Sequence, residues 1–383
     1  MTAPLPLRLI VEAQDLPPVL PEALRERFAQ GETGVAWLPA EDASGVAPAG
    51  RVGGPQARTW PHDIDTAPPV NAPALCTVGE SWWFPRYGGL IGTNGALYNA
   101  TIVEARQGSR DLSALPGVTD SATRFTPPTD APFMEAGAVF LPWGGTFNYG
   151  HFVIDALTSL LALEKAGLLD GAPVLAPPLT TWQRDLIAMA FPGLEITEVD
   201  APVVRLGRAT YATCMDHFLH HPNALLAEVA ERVLAQAPAG QGARRVYLSR
   251  RGQSMRVMVG EAAFEKALTA RGFTIVSPET LSAAEQIALM RDAEVVVGAS
   301  GAALANAVFL PRGARVVEIQ PANFTSQWVR AACRQVGVDW RGYVCASPIP
   351  RWRAPPLAQL RRGFKFAYRP PLDDLLRFVD QAL

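Results

Sequence analysis

The chain has 383 residues, more than one ordinary core supports, so two domains of roughly 150–200 residues each are expected. Its 34 basic and 36 acidic residues leave a formal charge of −2, which excludes a surface built to wrap nucleic acid. The four cysteines, Cys76, Cys214, Cys333 and Cys345, are scattered with no CxxC pair, which argues against a zinc site or disulfide framework and suits a reducing cytosol.

The opening stretch MTAPLPLRLIVEAQDLPP lacks the basic and apolar segments of a secretory signal. No run reaches ~18 uninterrupted apolar residues, so no membrane span is expected. The expectation is a cytoplasmic protein, free or held peripherally at the inner face of the cell membrane. Residues 1–135 are rich in proline and turn signals and read as long loops with short strands, PLRLIVEA and ALYNATIVEA. From GAVFLPW the pattern sharpens. A strand at 137–142 leads through WGGTFNYG into a helix from about 149 to 166, ended by Gly167 as its C′ residue. APVLAPP reads as a strand, TTWQRDLIAMAF as a helix, LEITEVD and VVRLGRATYAT as strands, and 223–237 as a helix with Pro222 at its start.

PAGQGAR, 238–244, reads as a linker. Strands and helices then alternate. RRVYLSR, FTIVSP, EVVVG, ARVVEIQ and VDWRGYV are strands; EAAFEKALTARG, SAAEQIALMRDA, GAALANAVFL and FTSQWVRAACRQVG are helices. Ser282 and Glu285 form a capping box at the second of these helices. Such alternation means βαβ units and a doubly wound parallel sheet. The expected fold is therefore α/β, with an N-terminal domain over 1–237 and a Rossmann-like domain over 245–346. The tail, 347–383, ends in the amphipathic helix PLDDLLRFVDQAL and is expected to pack back on the N-terminal domain.

Open parallel sheets bind ligands at the carboxyl ends of their strands. Arg250 follows VYLS, Gly298-Ala299-Ser300-Gly301 follows EVVV, and Glu318 ends RVV. A small-residue loop opening a helix lets backbone N–H groups meet phosphate, a guanidinium clamps diphosphate, and a carboxylate accepts from ribose hydroxyls. Two rival sites fail. No G-x-G-x-x-G is present for a dinucleotide. Ser300 is no hydrolase nucleophile, because Ala302 replaces the last glycine of the elbow and no histidine follows His221.

In NYGHFVIDAL, Asn148, His151 and Asp155 share one helical face. Either Asn148 is a cap and His151 a satisfied buried histidine, or His151 and Asp155 point into an interdomain cleft as a general base and its orienting partner. Which of the two is the base stays open. DHFLHHP, with His217, His220 and His221, lacks a third zinc ligand, and Trp82-Trp83 offers a sugar-stacking platform or simply a strand split between core and surface.

NYGHFVIDALTSLLALEKAG, RRVYLSRRG and SPETLSAAEQIALMRDAEVVVGASGAALANAVFLPRGARVVEI, in that order over about 137–320, resemble glycosyltransferase family 61. The resemblance implies a GT-B-like architecture, two Rossmann-like domains facing a cleft, and an inverting transferase using a UDP-linked sugar. It places His151 and Asp155 in the acceptor-side motif, and Ser249, Arg250, Gly298, Ser300, Gly301, Asn306 and Glu318 in the donor-side motifs. Two departures stand out: Ser300 where the family often has histidine, and GAALAN for the usual GAGLTN. No D-x-D metal motif lies near a strand end, so no metal cofactor is expected. The expected function is metal-independent transfer of a sugar to a hydroxyl of a glycan or glycolipid in polysaccharide biosynthesis. The alternative is a catalytically weakened sugar-nucleotide-binding partner in an assembly complex.

Overall fold

The computed structural model describes residues 5–7, 9–38, 51–60, 73–98, 101, 112, 115–119, 124–140, 145–170, 172–213, 224–349 and 366–383, to which all that follows refers. The chain forms two compact units, Met1–Glu41 with Pro69–His217, and Asp42–Pro68 with Phe218–Leu383. Both mix helices with parallel strands. The boundary therefore falls before 238–244. The helix Leu225–Gln236 turns Leu226, Val229, Ala230 and Val233 inward and packs on the helix Trp328–Val336 and the turn Ala302–Phe309, which ties it to the C-terminal unit. His217, His220, His221 and Pro222 lie outside the described residues.

In the first unit, the sheet that matters has the order Ile196–Glu198, Val174–Ala176, Gly137–Val139, Ala209–Ala212, Ala74–Val78, Gly34–Trp37. Its first four strands are parallel, Ala74–Val78 adds antiparallel to them, and Gly34–Trp37 pairs antiparallel with Ala74–Val78 and so returns to the direction of the first four. Gly137–Val139 is buried throughout, as a parallel strand covered on both faces must be. It is also the strand on either side of which the chain winds in opposite senses. VVRLGRATYAT does not run as one strand: Val204–Leu206 joins a second six-stranded sheet, and Ala209–Ala212 joins this one. Gly207 makes the crossing, where an added Cβ would stand 2.7 Å from the Glu135 carbonyl oxygen. Trp83 is fully buried while Trp82 is half-buried against Phe125, so the tryptophan pair splits between core and surface.

The C-terminal unit is a six-stranded, all-parallel sheet in the order Thr274–Val276, Arg245–Leu248, Val295–Ala299, Arg315–Pro321, Asp339–Cys345, Val52–Gly53. The strand order reverses between Arg245–Leu248 and Val295–Ala299, and at such a switch point the two following loops diverge and leave a crevice. One face carries a core of Val295, Val297, Val317 and Tyr343 under the helix Glu261–Thr269. The same core takes Leu375, Leu376, Phe378 and Val379 of the helix Leu372–Asp380. The C-terminal helix thus packs on its own unit and not, as expected, on the N-terminal domain. Its amphipathic face matches an apolar sheet face left open there, and Asp374 accepts a 2.7 Å hydrogen bond from the Tyr343 hydroxyl. No helix among the described residues is long and apolar enough to cross a membrane.

Candidate active site

The strand Gly137–Val139 delivers the chain to Asn148, whose Oδ1 accepts hydrogen bonds from the backbone N–H of Gly150 at 2.9 Å and of His151 at 3.4 Å. Asn148 is therefore the N-cap, as one expectation had it. The helix it starts is not regular. Tyr149–His151 is α-helical, Phe152–Ala156 is a π turn, and Leu157–Lys165 resumes the α form. A π turn is an extra residue in an α-helix, and such insertions concentrate at functional sites. The Thr158 hydroxyl donates to the carbonyls of Ile154 and Asp155, and the Ser159 hydroxyl to that of Ala156 at 2.8 Å, which helps satisfy carbonyls disturbed by the insertion. Gly167, at φ 66°, terminates the run.

His151 and Asp155 meet. His151 Nδ1 lies 2.9 Å from Asp155 Oδ2, with the carboxylate 1% exposed and the imidazole 21% exposed. The aspartate is sunk into the helix–sheet core between Ile154 and Ala156, and the histidine reaches out from it. Around the first turn, Trp182 packs on Tyr149 at 5.4 Å and on Phe152 at 5.1 Å. Burial pushes the Tyr149 phenol well up, so it stays neutral. The Gln183 amide donates 2.8 Å to the Gly145 carbonyl, which anchors the glycine loop in front of the cap. Phe147, beside the cap, is 74% exposed.

In the C-terminal unit the strand-end residues come together at the switch point. Ser249 is buried and its hydroxyl donates to Glu265 Oε1 at 2.6 Å, while Glu261 Oε1 accepts from the Arg250 backbone N–H at 2.7 Å and from the Tyr247 hydroxyl at 2.8 Å. Two acids one turn apart on the helix Glu261–Thr269 thus shape the turn that aims Arg250. Burial raises Glu261 above the usual carboxylate range. The Arg250 guanidinium lies flat on the loop: a Cβ on Gly301 would stand 2.0 Å from its Nη1, so only glycine admits it there. Arg250 Nη2 donates to the Met255 carbonyl at 3.1 Å, and Nε is buried with no partner among the described residues. Gly298 serves packing, since a Cβ there would touch Leu304 Cδ2 at 3.0 Å.

Glu318 ends up differently from its expected place at a ribose. It is 0% exposed and its Oε2 accepts from Trp340 Nε1 at 2.9 Å. Burial raises its pKa to about 7. Trp340, Gln320, Ser300 and the charge of Arg256 resist that rise, although neither Gln320 nor Ser300 completes a well-formed hydrogen bond to the buried Oε1. Asn306 is also fully buried, and its amide donates to Gln286 Oε1 at 2.8 Å, behind the loop. The segment expected as a helix over GAALANAVFL is a 3₁₀ turn, Ala302–Phe309, in which Leu304–Phe309 are all buried. Confinement on every side suits this tighter winding.

Sequence reasoning missed Arg256, Glu261 and Glu265. The two acids carried a signal, an i, i+4 pair opening a helix directly after the arginine loop. Arg256 carried none. It adopts φ 53°, a left-handed conformation rare outside glycine, and nothing in SMRVM announces it. Among the described residues no three histidine, cysteine, aspartate or glutamate side chains gather as a metal site would require.

Comparison with curated proteins finds no match. The family model described as Glycosyltransferase 61 matches residues 149–317, from the tyrosine after the Asn148 cap to the residue before Glu318. The matched segment contains the His151–Asp155 pair and the whole arginine and glycine turn at the switch point. The 149–317 segment is similar to glycosyltransferase 61, and that match supports a glycosyltransferase enzyme.

Proposed function

We propose that the protein transfers a sugar with inversion from a nucleotide-linked donor, UDP-linked in the leading reading, to a hydroxyl of a glycan or glycolipid in polysaccharide assembly. It would act without a metal ion from the cytoplasmic side of the membrane, with the acceptor on the N-terminal unit and the donor on the C-terminal one, in the GT-B manner. The observation that carries the proposal is the His151–Asp155 pair, a buried carboxylate bonded at 2.9 Å to a partly exposed imidazole. With Nδ1 engaged by Asp155, Nε2 is the nitrogen left to take a proton from an acceptor hydroxyl. The carboxylate then stabilises the imidazolium that forms. This makes His151 the base and Asp155 its orienting partner. As the hydroxyl oxygen attacks the anomeric carbon, the bond to the nucleotide breaks and negative charge collects on the departing diphosphate. Arg250 and the backbone N–H groups of the 298–301 loop suit that charge.

The test uses purified full-length chain, a panel of nucleotide sugars, and EDTA throughout. His151→Ala and Asp155→Asn should each cut turnover about 10²–10⁴-fold while nucleotide binding, followed by calorimetry, persists. Variants that fold and transfer sugar at near the wild-type rate would sink the general-base assignment. Transfer abolished by EDTA and restored by Mn²⁺ would end the metal-free mechanism. Binding of nucleotide without turnover in the wild-type chain would favour the alternative role as a sugar-nucleotide-binding partner.

A further inference from the structure

One part of the C-terminal unit brings together two guanidinium groups that no ion pair neutralises among the described residues. The Ser300–Gly301 peptide is flanked by two guanidinium groups. Arg250 lies on Gly301, within 2.0 Å of where a Cβ would be, and Arg256 donates from Nε to the Ser300 carbonyl at 3.0 Å. Neither arginine forms an ion pair among the described residues. Arg256 makes no other hydrogen bond there, and the Arg250 side chain makes only the one to Met255. Burial, and then the like charge of Arg250, pull Arg256 down to about 10, so it stays cationic at neutral pH. Glu318 is felt by Arg256 electrostatically, and Arg250 by Glu261, but neither acid forms an ion pair with its arginine among the described residues. Two adjacent cations without an ion-paired counter-charge repel each other and cost stability.

Arg256 is also held in place at some cost. Its backbone is left-handed, at φ 53°, a conformation that persists in a non-glycine residue only when the surroundings enforce it and that clusters at ligand sites. Its guanidinium sits 4.8 Å over the Phe324 ring, which fixes the plane of the fork. Phe324 is itself steadied by Phe366 at 4.9 Å. The result is a planar, pre-oriented donor set beside a second one, at the loops that leave the two strands of the switch point.

We propose that Arg256 is a second anion-binding residue, which closes with Arg250 on one diphosphate group. The inference rests on the donor site described under Proposed function and deepens it. Each guanidinium offers a fork matched to phosphate oxygens, so two of them span the two phosphoryl groups of a diphosphate better than a single phosphate. During transfer the bond between the anomeric carbon and the diphosphate oxygen breaks, and its electron pair stays on that oxygen. Two fixed cations receive the charge, with Ser300 contributing none. Arg256 is thereby assigned both to donor binding and to stabilising the leaving group.

The experiment is calorimetric titration of the full chain with inorganic pyrophosphate and with uridine diphosphate, in wild type and in Arg256→Asn. Asparagine is chosen because it tolerates the left-handed backbone. Loss of one charge-assisted contact should weaken both ligands by the same factor, about 10- to 100-fold. Arg256→Lys, which keeps the charge and loses the fork, should fall between the two and guards against misfolding of the asparagine variant. Unchanged affinity for both ligands in a folded variant would overturn the proposal and leave the donor site standing on Arg250. Loss confined to uridine diphosphate would place Arg256 on the nucleoside and overturn it as well. If wild type binds neither ligand, the donor-site assignment falls with it.

Discussion

At the scale of single residues, the side chains named from sequence divide into those that reach solvent and those that lie buried. His151 and Arg250 are partly exposed; Asp155, Ser249 and Asn306 are buried. Glu318 belongs with the second group and has a titration signature. Its pKa is raised from 4.5 to about 7, so between those values the folded chain keeps a proton that the unfolded chain has released. Stability conferred by the neutral form is complete below about 4.5 and is lost as pH rises toward 7. The isosteric, permanently neutral Glu318→Gln should therefore gain on wild type as pH rises from 5 to 8, by on the order of 3 kcal/mol. Melting temperatures of the two proteins at both pH values check this. A difference that does not grow with pH would show that the buried carboxyl is not the titrating group.

At the scale of elements, the helix after Asn148 departs from regularity where the His151–Asp155 pair sits. A uniform α-helix over 149–166 is the natural reading of the apolar spacing, and the run of Val153, Ile154, Leu157, Leu160 and Leu161 is indeed buried. The π turn over Phe152–Ala156 is invisible to that pattern, because one extra residue hidden among apolar neighbours leaves every one of them buried. What marks it is Thr158, whose hydroxyl serves two carbonyls of the turn. Thr158→Val keeps the shape and removes both bonds. It should cost about 1 kcal/mol in urea denaturation. It should also lower turnover, since the backbone of Asp155 loses a restraint. Full activity with wild-type stability would mean that the turn is held by packing alone.

At the scale of the whole molecule, the strand orders decide where chemistry is possible. The Asn148 helix follows the strand where the parallel part of its sheet reverses, and the arginine turn follows the strand where the C-terminal sheet reverses. The C-terminal helix belongs to the second of these frameworks. It buries Leu375, Leu376, Phe378 and Val379, each worth about 1.5–3 kcal/mol, against a net stability of about 5–15 kcal/mol for a typical domain. A chain ending at Arg369 should lose the cooperative melting of the C-terminal unit and its stabilisation by nucleotide. Scanning calorimetry with and without uridine diphosphate would reveal either loss. An unchanged transition would show that this helix is peripheral to the fold.

Much of this is local and was legible in the sequence. The βαβ alternation after 244, the Ser282–Glu285 capping box, the Asn148 cap and the Gly167 stop depend on neighbours within a few residues, which composition and spacing report. The order of motifs from NYGH to VVEI was enough for the family. The tertiary structure decided what distance along the chain conceals. It placed the 225–236 helix and the last helix on the C-terminal unit, because apolar faces are satisfied by whichever open surface fits and sequence does not name the surface. It withdrew Glu318 beneath Trp340, and it set Arg256 beside Arg250 through a left-handed backbone. Burial and charge proximity are properties of three dimensions, which is why spacing along the chain could not report them.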